Sequence, residues 1–166
     1  MGFVGLVAAF CAAVTVHNLE EALYLPAWSV AAARFHPPVG VFAFRFAVVA
    51  LTLAAYVCAA LAAAGSTVGA YLVCGYGLAM AANAVVPHLV ATVALRRYAP
   101  GTATGLLLNL PIGVALVAAA AAEGRIEWPS FVWAGPITVI GLAAAIRPLL
   151  ALGRSAAERL GVRQSC

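Results

Sequence analysis

The sequence has 166 residues, of which 66% are hydrophobic and 8% charged. A soluble domain carries about 25% charged residues, so this chain has too few to cover a water-facing surface. It contains no Lys and no Asp, and its net charge of +4 is nine Arg against five Glu. With no continuous basic face outside loops and tail, nucleic acid is excluded as a partner. The composition predicts an all-α, integral membrane bundle of five transmembrane helices over 1–152, with a polar tail at 153–166. Its partner is then the lipid bilayer.

A membrane-spanning helix needs about 20 apolar residues. The first such run covers about 2–25 and should end at Pro26. It lacks the positive start of a signal peptide and is too long for one, so it is expected to be retained as a span. In the linker 27–36, Trp28 and Arg34 suit the headgroup layer, and His36 reads as an interface residue. Pro37-Pro38 opens a second helix, about 38–64, which Gly65-Ser66 closes. The third runs about 68–96 and ends at Arg96-Arg97. Tyr98 to Gly101 turns the chain into a fourth helix, about 102–122. After the loop Glu123 to Trp128, Pro129 stands at the first position of a fifth, about 130–151. In the tail, Arg154, Arg159 and Arg163 suit an anionic lipid surface. Cys11, Cys58 and Cys74 stand alone in apolar runs and read as small buried hydrophobes.

Five spans put Arg34, Arg96, Arg97, Arg154, Arg159 and Arg163 on one side. The other holds Arg125, between Glu123 and Glu127. The positive-inside rule then places the N-terminus outside and the C-terminus in the cytoplasm of a multi-pass inner-membrane protein.

The polar residues within the spans converge in one leaflet. His17, Glu20 and Glu21 stand at i, i+3 and i+4, so an imidazole and two carboxylates share one helix face, which Tyr24 extends. Arg45 enters the second helix from the same side. Asn83 and His88 lie near the end of the third, Asn109 near the start of the fourth, and Arg147 near the end of the fifth. Intramembrane ionisable groups need compensation. A metal site would use His17, Glu20, Glu21 and His88, with Asn83 and Asn109 as weaker donors. Such mixed N/O sets suit a divalent transition metal, Fe or Zn, as one or two ions. Alternatively, Arg45 and Arg147 neutralise the carboxylates as a buried ion-pair cluster, or the groups form a proton path.

Several residues carry two readings. Asn83 and His88 are about 140° apart on a straight helix, but Pro87 should kink the chain beside His88, which either turns both side chains inward or frees the Asn83 carbonyl as a ligand. The alternative is Asn83 as a hydrogen bonder between helices. Gly105, Asn109 and Gly113 form a stripe permitting close helix contact. Arg45 either snorkels to the interface or holds a carboxylate or substrate anion. Tyr24 and Tyr98 read as aromatic-belt residues at headgroup level.

Three stretches also carry a resemblance: His17-Asn18-Leu19-Glu20-Glu21, Asn83 to His88 (NAVVPH), and Tyr98 through Pro100-Gly101 to Asn109-Leu110-Pro111. In this order they resemble the HXXEE-domain family of small bacterial integral-membrane proteins. The resemblance implies the architecture and the site more firmly than a reaction. It supports a metal-dependent enzyme with His17, Glu20, Glu21, Asn83 and His88 at the metal and Glu20, Arg45 and Asn109 in catalysis. Its substrate would be a small molecule that is amphiphilic or reaches the site from the cytoplasm. The narrower implication is rearrangement, or N–N bond formation, on a nitrogen-containing intermediate of specialised metabolism. The competing class is a non-catalytic transporter subunit or assembly factor, and a homo-oligomer fits either.

Overall fold

A computed structural model describes residues 1–34 and 37–162. Five helices are long and apolar enough to cross a membrane: α1 Phe3–Ala31, α2 Val41–Ala63, α3 Thr67–Leu95, α4 Thr102–Ala122 and α5 Trp128–Arg159. No strand occurs among the described residues. The described residues thus form an all-helical bundle whose five long helices are consistent with a multi-pass membrane protein. The expectations for His36 and Arg163 lie outside the described residues.

The central helix is α3. It packs against α2, α4 and, through its first half, α5, while α1 lies against α2 and α4. Small residues allow these approaches. A Cβ added at Gly113 of α4 would lie 2.5 Å from the Gly77 carbonyl oxygen of α3, so only bare backbone fits there. In the half of the bundle holding the N-terminus, Phe3, Phe10 and Val14 bury against Val73, Tyr76 and Leu116. Phe10 meets the Tyr76 ring edge-on at 5.9 Å between centroids. Glu123, in the loop after α4, accepts the Phe3 amide at 2.7 Å, placing a carboxylate at the positive end of α1.

Two helix ends differ from the sequence reading. Pro26 does not stop α1, which continues to Ala31. Proline has no N–H, so the Ala22 carbonyl loses its donor four residues on. Arg45 Nε donates to that carbonyl instead, at 3.0 Å. The tail is not separate either, because α5 runs on to Arg159. Gly153 lies so close to α2 that a Cβ would come within 2.8 Å of Ala43 Cα, and Ala157 is fully buried. Packing on α2 therefore keeps the helix going.

Near the end that carries the site, α3 and α4 both leave ideal α geometry. In α3, residues Ala84–Leu89 form a kink, with Val86 in extended conformation (φ −125°, ψ 112°). It lies beside Pro87, where the sequence predicts it. In α4, Gly105–Asn109 form a widened π-type turn. Pro111 follows and offers no N–H to the carbonyl of Leu107, which loosens the ordinary ladder. The two irregular segments pack against each other.

Candidate metal centre

Four side chains from α1 and α3 bring donor atoms together. His17, Glu21 and His88 each offer one ligand atom, all within 4.8 Å of one another. Glu21 Oε1 lies 2.9 Å from His88 Nε2 and 3.7 Å from His17 Nε2. The Asn83 amide reaches His88 Nε2 at 3.0 Å and His17 Nε2 at 3.4 Å. A tetrahedral ion with bonds of about 2.0–2.2 Å separates its ligands by about 3.3–3.6 Å, a spacing these distances bracket. Both imidazoles are buried, His17 completely and His88 to 4% exposure.

The proton positions matter as much as the distances. Thr104 donates its hydroxyl to Glu20 Oε2 at 2.6 Å, so its oxygen remains to accept from His17 Nδ1 at 3.0 Å. That arrangement puts the neutral His17 proton on Nδ1 and leaves the Nε2 lone pair facing Glu21, His88 and Asn83. His88 Nε2 meets a carboxylate oxygen and an amide at once. Turning the near-symmetric Asn83 amide over would add Oδ1 to the cluster. Lone pairs then converge on one point, which calls for a proton or a metal ion between them. A hydrogen bond that fixes the tautomer behind a ligating histidine is usual around protein-bound metals.

The turn between α3 and α4 covers the two histidines. Gly101 has φ +92°, and a Cβ there would lie 2.7 Å from His88 Cε1 and 2.9 Å from His17 Cε1. Only glycine combines that backbone with that contact. Threonines tie the turn down: Thr92 and Thr102 hydroxyls lie 2.7 Å apart, Thr92 accepts the Ala99 amide, and Thr102 donates to the Ala99 carbonyl. Tyr98 donates to Glu20 Oε1 at 2.5 Å. Partial burial, and then this bond to a carboxylate, raise the phenol above its ordinary pKa.

The structure therefore gathers His17, Glu21, Asn83 and His88 and separates the other candidates. Glu20, expected beside the metal, turns about 100° away from Glu21 on the helix and spends both oxygens on Thr104 and Tyr98. Arg45, expected near the carboxylates, is exposed and bonds the backbone of Ala22. Arg147 is exposed as well. The ion-pair partners of Glu21 among the described residues are the two histidines.

Asn109 is fully buried, yet neither end of its amide has a partner. It bonds no neighbouring helix, so hydrogen-bonded packing does not account for it. Its neighbours in the small-residue stripe face α3, with Gly105 against Ala84 and Gly113 against Gly77. A Cβ at Gly105 would lie 3.7 Å from His17 Cε1, so Asn109, about one turn further along, sits deeper than the cluster. Thr104, Gly101 and Tyr98 are the contributors that the sequence reading assigned no site role. Tyr98 and Gly101 lie in a non-helical turn, so no helical periodicity links them to Thr104 in the sequence.

Fold and site thus define a bundle of five helices of membrane-spanning length and hydropathy around a buried histidine–carboxylate cluster. The family model for "protein of unknown function with HXXEE motif" matches residues 8–116. The chain belongs to this family, whose motif is His17 to Glu21. It is also similar to the Bacillus subtilis (strain 168) protein described as "Uncharacterized protein YrkK". The two are 38% identical over 149 residues, covering 89% of this chain and 94% of the relative. No solved structure matches.

Proposed function

We propose that the protein is a metal-dependent membrane enzyme acting on a small molecule at the His17–Glu21–His88 cluster. The observation that carries the reading is the convergence of two imidazoles and a carboxylate, with ligand atoms all within 4.8 Å of one another, beside an amide that reaches both rings, and with one tautomer set from behind. One divalent transition metal, zinc or iron, suits this donor set; a bound metal would supply Lewis acidity and orient a substrate. His17, Glu21 and His88 are the ligands, and Asn83 is a fourth donor that substrate can displace. Glu20 acts through Thr104 on the basicity of His17, and Gly101 keeps the turn close over both rings. In this reading the substrate carries a nitrogen or oxygen donor, as a hydroxylamine or hydrazine does, and undergoes rearrangement or N–N bond formation.

The arginine asymmetry supports an outside N-terminus and a cytoplasmic C-terminus in the inner membrane, with the cluster in the cytoplasmic leaflet. Reporter fusions at Ser66 and Gly124 should then signal outside, and a fusion at Tyr98 the cytoplasm. A cytoplasmic signal at Ser66 overturns this orientation.

Metal analysis of detergent-purified protein tests the centre. Wild type should hold roughly one equivalent of transition metal per chain, by the tetrahedral donor count. His17→Ala, Glu21→Ala and His88→Ala should each lose it while remaining folded and monodisperse. Metal retained in all three variants, or a wild type that takes up none when offered zinc or iron, refutes the reading.

A further inference from the structure

Beside the cluster lies a cavity of about 320 Å³ bounded by α1, α2, α3 and α5. It is at the small end of the range for ligand sites, about 300–1,000 Å³. Its walls are apolar, from Phe44 and Leu51 of α2, Met80 of α3, and Val139, Leu142 and Ile146 of α5. Tyr76, whose hydroxyl donates to the Leu51 carbonyl, lines it too, and four further polar residues, Asn18, Glu21, Asn83 and His88, line it beside the cluster. Three of those four belong to the candidate metal centre. The fourth, Asn18, is held by a 2.7 Å bond to Thr52.

The cavity exists because α3 parts from α5 at its kink. The segment before the kink packs on α5, whereas the kinked segment itself packs on the start of α4. The lining residues Val86, Pro87 and Ile146 are exposed on the flank of the bundle, where acyl chains would lie, so the mouth is lateral. Along α5 the lining runs from Val139 to Leu150, about 17 Å at 1.5 Å per residue.

We infer that the cavity binds a single-chain amphiphile from the membrane, with its metal-ligating head on His88 and Glu21 and its aliphatic chain between α2, α3 and α5. The inference rests on the metal reading for the head group and on the cavity alone for the chain. A small polar substrate from water would gain nothing from apolar walls with a lateral mouth. An amphiphile matches both ends, and its chain slides from lipid to protein without crossing water.

The test is photolabelling in nanodiscs with a decyl hydroxamic acid that carries a diazirine near its tail, on protein with and without zinc. Labelling should concentrate on the lining residues Phe44, Leu51, Val139, Leu142 and Ile146 and be competed by unlabelled decyl hydroxamate. Ala79→Phe and Ala143→Phe, which fill the cavity from opposite walls, should each lower it at least roughly tenfold, given the loss of a sterically accessible site. Both variants should keep wild-type metal content. Labelling spread over lipid-facing Ile137 and Ile140, not competed and equal in wild type and both variants, overturns the inference. Wall labelling that persists in protein unable to hold metal keeps the cavity assignment and removes the metal reading. Metal-loaded protein with unlabelled walls does the reverse.

Discussion

Thr104 touches no donor atom of the cluster directed at the centre, yet it fixes which His17 nitrogen is free. Replacing it by Val keeps the shape and removes the hydroxyl that joins His17 Nδ1, 3.0 Å away, to Glu20, 2.6 Å away. Outer-shell partners of this kind are worth about 10–100-fold in metal affinity, or about 1.4–2.7 kcal/mol. The fold pays separately, because the buried His17 N–H loses its acceptor at a cost of about 1–3 kcal/mol. Both effects should appear in Thr104→Val: a weaker zinc dissociation constant in chelator competition, and a lower thermal midpoint in metal-free protein. Thr104→Ser restores the hydroxyl and should recover most of each. Zinc binding by Thr104→Val as tight as wild type, or a Ser variant no better than Val, refutes the tautomer argument.

Arg45→Met reopens the Ala22 carbonyl freed by Pro26. It should lower stability by about 1 kcal/mol and leave metal content unchanged, as read by thermal unfolding and metal analysis. Loss of metal, or rescue of a strongly unstable Arg45→Met by Glu20→Gln with Glu21→Gln, would instead favour a buried ion-pair cluster. Tyr98 should deprotonate above the ordinary tyrosine value of about 10, and closer to it in Glu20→Gln. Its folded pKa is raised, so the contribution to stability is complete below about pH 10 and is lost as pH rises through the folded value. The phenolate absorbance of wild type minus Tyr98→Phe checks this, and a titration unchanged in Glu20→Gln contradicts it.

Hydropathy made the five spans legible, because few charges interrupt runs of helical length. The kink was legible too, since Pro87 must remove a bond to the carbonyl of Asn83 whatever surrounds it. Adjacent Glu20 and Glu21 offered no such guide. A helix sends neighbours about 100° apart, and only the placement of Thr104 and Tyr98 shows which carboxylate turns away from the histidines. Pro26 misled for the opposite reason. Local chemistry predicts a stop, but an arginine from the next helix takes the orphaned carbonyl, and a lone sequence does not display that long-range donor. Thr104 falls inside the predicted fourth helix, and Gly101 in the turn before it. Their contacts with His17 and His88 arise only once α1, α3 and α4 meet.

The widened turn in α4 acts as a phase shifter. Its extra residue lets Thr104 reach His17 while Gly113 still meets Gly77, although these contacts lie at different depths and would call for different helix rotations. Winding all of 105–109 as regular α-helix would instead turn everything before the segment by nearly 100° relative to everything after, swinging the Thr104 hydroxyl and the Gly101 cover off the histidines while the far half of α4 kept its seat on α3. Deleting one residue within 105–109 removes the excess itself, so regular winding and both contacts become compatible. Scaffold and cover should thus survive the loss of one codon here, because the widened turn stores a whole residue of slack.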